Sequence, residues 1–203
     1  HLANITYDNR NDIALTKGYG NDTYIKRDSK SSFGTSNFRG KVKEYGVNTS
    51  IDYLNSSNVT MGADYKDFED KEMNKDYDNK GIFISNTNKF FDDKTIFTQA
   101  LRYDRYSDFE NKTTGKIGIK QYIIDELNIS SNYGTGYNVP TIYQLFEPAG
   151  TWGPVGNINL EPEKTKGYDF GIEYKGFSLT YFNTKVKNMI DWGNGYQNIK
   201  GTS

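Results

Sequence analysis

Residues 134–174 have the sequence GTGYNVPTIYQLFEPAGTWGPVGNINLEPEKTKGYDFGIEY, which is rich in glycine and aromatic residues. The end of this stretch alternates in polarity, because apolar Tyr168, Phe170, Ile172 and Tyr174 are separated by Asp169, Gly171 and Glu173. Residues 127–133, just before it, alternate in the same way. Successive side chains of a β-strand point to opposite faces, so a two-residue period predicts two strands that each have one apolar face. Residues 138–163 are then a long loop between them.

The same alternation occurs in residues 47–53 and 59–65, and the connections between strands alternate in length. Tight turns are predicted at residues 55–58, 92–93, 125–126 and 175–176, and longer polar loops at about 28–37, 69–78, 107–113 and 138–163. Short turns on one rim and long loops on the other are typical of an outer-membrane barrel, with the short turns in the periplasm. The pattern predicts an all-β, up-and-down antiparallel transmembrane barrel, of which this chain supplies nine or ten strands. The odd-numbered residues of 47–53, 59–65 and 127–133 are expected to face lipid, and the even-numbered ones the lumen.

Composition alone suggests a soluble chain, since 25% of the residues are charged and the mean hydropathy is −0.82. No run of 18 apolar residues exists, which excludes a transmembrane helix. This test does not detect transmembrane barrels, because only alternate residues of their strands face lipid. The 15% of aromatic residues include 17 tyrosines, a residue that is favoured in strands and at membrane interfaces.

Several classes of site are disfavoured by the residue counts. A net charge of −1 argues against a nucleic-acid partner, and the lack of cysteine excludes thiolate chemistry. The one histidine is His1, so we expect no histidine-based catalysis, no enzyme activity and no cofactor. The acidic residues of the outer loops alternate with lysines, which favours solvated loops over a calcium site, and no metal site is expected. The first residues show no secretion signal, which favours an internal segment of a longer protein.

Three motifs around the long loop resemble those of TonB-dependent outer-membrane receptors. They are VPTIYQL at residues 139–145, GNINLEPEK at 156–164 and YDFGIEY at 168–174, with Val139 and Ile158 replacing the usual Ala and Pro. Residues 37–69 also resemble a mid-barrel hairpin of cobalamin receptors and their colicin-receptor relatives. The tripeptide Arg102-Tyr103-Asp104 resembles the signature that precedes an outer loop of this family. The resemblance covers about residues 38–200.

This resemblance implies a mechanism as well as a fold. Members are 22-stranded barrels with an N-terminal plug in the lumen, and the periplasmic protein TonB pulls on a segment ahead of the plug to release the ligand inward. Residues 1–203 would be a partial barrel domain without the plug, located in the bacterial outer membrane. The implied partners are cobalamin or an iron-siderophore, TonB through the plug and outer-membrane lipid, with colicins or phages as further candidates.

Ligand contact is predicted in the long loop, because a large ligand is first held outside the barrel by aromatic surface and hydrogen bonds. In the alternative interpretation, the rings pack the loop onto the barrel rim. Two other protein classes also stay open, a passive porin or adhesin barrel and a soluble carbohydrate-binding β-sandwich. The candidate ligand-binding residues are Tyr137, Asn138, Tyr143, Gln144, Phe146, Trp152 and Asn157.

Overall fold

The computed structural model describes residues 2–11, 14–31, 34–54, 56–150 and 153–199. Ten antiparallel strands form one sheet in chain order, and a two-stranded sheet follows near the end of the chain. Within the described ranges, no helix has the length and apolar content needed to cross a membrane. The large sheet consists of β1 (Leu2–Arg10), β2 (Ala14–Ser31), β3 (Gly34–Tyr53), β4 (Ser57–Asp70), β5 (Lys75–Phe90), β6 (Thr95–Tyr106), β7 (Lys112–Ile124), β8 (Leu127–Asn138), β9 (Glu163–Tyr174) and β10 (Phe177–Lys187). The other elements are the helix α1 (Ile142–Phe146) and the hairpin strands β11 (Met189–Gly193) and β12 (Gly195–Ile199).

The sheet has two different rims, as the sequence predicted. Residues 54 and 56, 91–94, 125–126 and 175–176 lie between strands on one rim, which we call the turn rim. The opposite rim, called the loop rim, carries the long connection between β8 and β9 together with the β11–β12 hairpin. The predicted ten strands and the predicted loop at residues 138–163 are confirmed. One predicted turn is displaced, because Ser57 and Asn58 already belong to β4.

Two of the predicted outer loops are wrong, because most of their residues lie in strands. Asp28 is paired with Asn37, so β2 and β3 continue almost to the end of their hairpin. Strands β4 and β5 likewise pair up to Asp70 and Lys75, which leaves four residues between them. The prediction was wrong because it assigned these polar stretches of sequence to loops. Backbone hydrogen bonds of an antiparallel ladder do not require apolar side chains, so a hairpin of mostly polar sequence can extend beyond the apolar band.

One face of the sheet is a continuous band of exposed apolar side chains. Across β3 to β6, Val47, Ala63, Ile82 and Tyr103 lie in one cross-strand row. A second row across β8, β9 and β10 contains Ile129, Ile172 and Leu179. Ile82 is 60% exposed and Leu179 is 73% exposed, so this apolar face is uncovered in the chain itself. Apolar patches of this extent mark contact with another apolar phase or partner.

The other face carries charged and hydrogen-bonded side chains, and we call it the polar face. Arg102 lies between Asp64 and Asp104, and Asn132 donates a hydrogen bond of 2.8 Å to Asp169. The predicted division of odd and even residues between two faces is therefore confirmed for β3, β4 and β8. The loop after β8 reaches β2–β5 on this polar face.

Candidate ligand site on the loop rim

The first part of the long loop is a short capped helix. Thr141 Oγ1 accepts a hydrogen bond of 3.2 Å from the Gln144 backbone N–H, and Gln144 Oε1 accepts one of 2.9 Å from the Thr141 N–H. This reciprocal pair is a capping box, which satisfies backbone donors that a helix start leaves free. Pro140 is fully buried and Ile142 is 8% exposed, so they anchor α1 on the polar face. The Thr-x-x-Gln spacing is visible in the sequence and would have predicted this helix.

The second part of the loop returns and closes on α1. The Gly156 N–H donates to the Glu147 carbonyl at 3.0 Å, and the Asn157 N–H donates to the Gln144 carbonyl at 2.8 Å. A Cβ at position 156 would lie 2.6 Å from the Glu147 backbone nitrogen, so this close approach requires glycine. The two halves of the loop therefore form one compact piece of backbone.

The β11–β12 hairpin docks on this returning segment through main-chain and amide hydrogen bonds. The Tyr196 N–H donates to the Val155 carbonyl at 2.9 Å, and Asn157 Nδ2 donates to the Tyr196 carbonyl at 3.0 Å. Asn198 bonds both backbone groups of Glu161, at 2.8 Å to the N–H and 2.9 Å to the carbonyl. We call residues 139–150, 153–162 and 189–199 the loop–hairpin unit.

Aromatic rings connect the hairpin to α1. The rings of Tyr143 and Tyr196 meet edge to face at 6.1 Å, and those of Trp192 and Tyr196 do so at 5.1 Å. Trp192 is 56% exposed and Tyr143 is 36% exposed. The unit therefore presents a partly exposed aromatic surface on a hydrogen-bonded support.

A cavity of about 490 Å³ separates α1 from the wall of the sheet. Lys75 Nζ lies 4.8 Å from the centre of the Phe146 ring, and Tyr77 packs on Phe68 at 4.8 Å and on Phe109 at 5.4 Å. Aromatic walls with one cation and two carboxylates suit a flat apolar group that has polar edges. The lining consists of Asn74, Lys75, Asp76, Tyr77, Asp108, Phe109, Leu145, Phe146, Ile158 and Leu160.

A family model described as TonB dependent receptor-like, beta-barrel matches residues 2–203. The chain belongs to this family of TonB-dependent receptors. It is 28% identical to the vitamin B12 transporter BtuB of Vibrio cholerae over 154 residues, which is 70% of this chain and 24% of that protein. It therefore spans about a quarter of the length of that relative.

Two solved structures share the fold over 98% of this chain. A mutant of the ferric enterobactin receptor PfeA from Pseudomonas aeruginosa has a TM-score of 0.75 with 14% identity and 39% of its length covered. The siderophore receptor PirA from the same species has a TM-score of 0.68 with 19% identity and 49% covered.

The receptor fold places the predicted ligand residues in different surroundings. Phe146 lines the large cavity, and Tyr143 lines a second cavity of about 300 Å³ beside Val42 and Phe68. Gln144 and Asn157 use their side chains inside the loop–hairpin unit, as described above. Trp152 lies outside the described residues. Ligand contact stays a prediction for all of them.

Tyr137 and Asn138 lie apart from the cavity, at the loop-rim end of β8. The Tyr137 ring packs on Tyr106 at 5.8 Å, with Lys112 Nζ 5.5 Å from its centre. Asn138 Nδ2 donates a hydrogen bond of 2.8 Å to Glu163. The sequence did not point to Lys75, Tyr77 and Phe109, because they lie on other hairpins and no local pattern links them to the loop.

Ionisable groups of the loop rim with altered pKa values include Glu147, Tyr143 and Glu110. Burial, and then the nearby charge of Asp70, raise the pKa of the Glu147 carboxyl above its usual value. Burial likewise raises the pKa of the Tyr143 phenol. The ammonium of Lys164 donates a close hydrogen bond to Glu110 and lowers the pKa of that carboxyl. Asp70 instead accepts from the N–H groups of Glu72 and Met73, at 2.9 and 3.1 Å, and so shapes the β4–β5 turn.

Proposed function

We propose that this chain is part of the wall of an outer-membrane receptor that takes up a large, scarce nutrient with energy delivered through TonB. The receptor is not an enzyme. Its ligand is held on the loop rim, which faces the outside of the cell. TonB acts through a plug that fills the lumen of the complete barrel.

The observation that carries this proposal is the loop–hairpin unit folded over the polar face. A passive pore needs an open lumen at its rim. Here α1 and its loop instead reach from β8 across to β2–β5, and together with the sheet they enclose cavities of about 490 and 300 Å³. Volumes of this size suit the binding of a small molecule rather than the free passage of solutes.

The two faces of the sheet fit the same location. The exposed apolar face suits the lipid of a bilayer, and the hydrogen-bonded polar face suits a polar lumen. The short connections on the turn rim correspond to the periplasmic side.

Among ligands, we place cobalamin first and iron-siderophores second. The sequence relative reported above is named a vitamin B12 transporter, and it is more similar in sequence than the two siderophore-receptor structures. The Lys75–Phe146 cavity has aromatic walls and polar edges, which suit contact with one part of a large planar macrocycle that has amide substituents.

The experiment is a binding titration of the complete receptor in detergent. We expect saturable binding of cyanocobalamin, weaker or no binding of ferric enterobactin, and uptake of the bound ligand by cells only when TonB is present. Free flux of small sugars through liposomes containing the receptor, without saturable binding of either ligand, would contradict the proposal and favour a passive porin.

A further inference from the structure

Tyr77 is a residue that the two cavities of the loop rim share. It lines both the larger cavity of about 490 Å³ and the smaller one of about 300 Å³. Its ring is stacked at 4.8 Å on Phe68, its directly paired neighbour on β4, and meets Phe109 edge to face at 5.4 Å. Phe68 lines the smaller cavity and Phe109 the larger one, so this aromatic row is a wall between them.

The hydroxyl of Tyr77 has no hydrogen-bond partner within the part of the chain that the structure describes, although the residue is only 8% exposed. Buried tyrosines usually form a hydrogen bond through this group. Phenylalanine would fill the same place in the aromatic row without a polar atom. The tyrosine therefore indicates that the hydroxyl bonds a group that enters from one of the cavities.

Other polar side chains around the smaller cavity already have partners in the chain. Thr141 takes part in the capping box of α1, and Asp70 accepts from two N–H groups of the β4–β5 turn. Much of the remaining lining is apolar and includes Val42 and Ile142. The smaller cavity thus suits an apolar group, and the Tyr77 hydroxyl is a free donor where it borders the larger one.

The charges around both cavities favour a neutral acceptor over an anion. The acidic lining residues are Glu69, Asp70, Asp76 and Asp108. The lysines of the lining are Lys41 and Lys75, and Lys41 already lies 3.1 Å from Asp22. A ligand anion would therefore meet a surplus of carboxylates, which repel it. An amide oxygen accepts a hydrogen bond without bringing a charge.

We propose that Tyr77 is a specificity-determining residue of the ligand site, and that its hydroxyl donates a hydrogen bond to an amide oxygen of the ligand. A ring system of the ligand lies in the larger cavity, and an apolar group lies in the smaller one. The site thereby selects neutral ligands that carry amides over anionic chelates. This inference rests on the proposed function for the use of these cavities by the transported ligand.

The test uses the complete receptor in nanodiscs and small probes, so it does not depend on which nutrient is carried. N,N-dimethylbenzamide has a ring and an amide oxygen but no N–H donor, whereas benzoate carries a charge in that place. Binding is followed by NMR through isotope-labelled methyl groups of Ile142, at the smaller cavity, and Leu160, at the larger one. We expect the wild type to bind the amide more tightly than benzoate. Tyr77→Phe should bind the amide about fivefold more weakly, which is the effect of one neutral hydrogen bond.

The matched control is Tyr106→Phe. The ring of Tyr106 also packs on Phe109, at 6.1 Å, but this residue lines neither of the two cavities. The control should bind the amide as the wild type does. Equal amide affinity in the wild type and Tyr77→Phe, equal losses in both variants, or benzoate binding as tight as amide binding would overturn the proposal. Heat-modifiable migration on gels confirms that each variant is folded.

Titration with cyanocobalamin separates this inference from the proposed function. We expect Tyr77→Phe to weaken cyanocobalamin binding about fivefold, for the same reason. Wild-type cyanocobalamin affinity in Tyr77→Phe would contradict the role of the hydroxyl and leave the uptake function standing. A receptor that binds neither cyanocobalamin nor ferric enterobactin, but binds the amide probe through Tyr77, contradicts the uptake function alone.

Discussion

Arg102 on β6 reaches across β5 to Asp64 on β4, where its Nη1 and Nη2 donate hydrogen bonds of 2.7 and 2.8 Å to the two carboxylate oxygens. Gly81 is the β5 residue paired with Asp64 and with Asp104, so the guanidinium lies directly over it. A Cβ at position 81 would be 2.1 Å from Nη2. The glycine is therefore what allows three strands to be tied by one side chain on the polar face.

Gly81→Ala is expected to displace Arg102 and leave the carboxylate of Asp64, which is 6% exposed, without its partner. We expect the free energy of unfolding to fall by about 2 kcal/mol. The decrease is smaller than for a fully buried pair, because Arg102 is partly exposed and retains its ion pair with Asp104. Urea unfolding of the complete receptor in detergent measures it. Gly134→Ala is the control, since a Cβ there would meet nothing closer than 3.7 Å. Adding Asp64→Asn to Gly81→Ala should cost less than the sum of the single changes, and strict additivity would contradict the explanation.

The contact of the apolar face with lipid is tested by spin labels at four positions of β4. Val59 and Met61 lie on the apolar face, and Asp64 and Lys66 on the polar face. In the complete receptor in bilayers, we expect oxygen to relax the labels at 59 and 61 and a water-soluble nickel reagent to relax those at 64 and 66. Equal access of the nickel reagent to all four positions would disprove the assignment.

Much of this fold could be predicted because strand alternation is a local signal. A two-residue period within about seven residues predicted strands at residues 47–53, 59–65, 127–133 and 168–174, and for the first three of them it also predicted the two faces. The long loop was bounded correctly at residues 138 and 163 because the alternation stops there. The hairpin ends of β2–β3 and β4–β5 were missed because residues 28–37 and 69–78 are mostly polar and show no regular apolar alternation.

The site was less predictable because its parts come from distant segments. Phe146 and Tyr143 were found as aromatic residues of a loop. Lys75 and Phe109 reach the same cavity from two other hairpins, and only the sheet register brings them together. The amides of Gln144 and Asn157 were predicted to contact a ligand, yet their hydrogen bonds stabilise the loop. Composition alone cannot distinguish an amide that binds a ligand from one that stabilises a loop.

Asn157→Ala should loosen the loop–hairpin unit, because Asn157 accepts from the Asn159 N–H at 3.0 Å and donates to the Tyr196 carbonyl at 3.0 Å. The loss of two hydrogen bonds is expected to lower the hydrogen-exchange protection of the Tyr196 and Asn159 amides by about tenfold. Asn159→Ala changes an exposed side chain of the same loop and serves as the control. Unchanged protection in Asn157→Ala would show that the hairpin is held by other contacts.

The docking of the loop should depend on pH through Glu147. Its pKa is raised by burial and by Asp70, so the folded loop binds this proton more tightly than the unfolded loop does. The loop is therefore most stable below the raised pKa and loses stability as the pH rises through it. At pH 7, Glu147→Gln should increase the protection factors of the Gly156 and Asn157 amides, which bond to α1 and Glu147. The gain should vanish in acid, and a gain that is equal at pH 4 and pH 7 would rule out the carboxyl as its source.

Phe146→Ala and Tyr143→Ala separate a ligand-binding role of the loop from a purely structural one. Removing a ring that a ligand buries costs about 1.5 to 3 kcal/mol, so we expect cyanocobalamin affinity to fall at least tenfold in the Phe146 variant. The decrease should be smaller for Tyr143, whose ring already packs on Tyr196. Phe91→Ala, on the turn rim and 79% exposed in the wild type, should leave affinity unchanged. A different result would be wild-type affinity in all three variants together with lower hydrogen-exchange protection of the loop in Tyr143→Ala. The rings would then stabilise the loop, and the ligand contacts would lie elsewhere on the receptor.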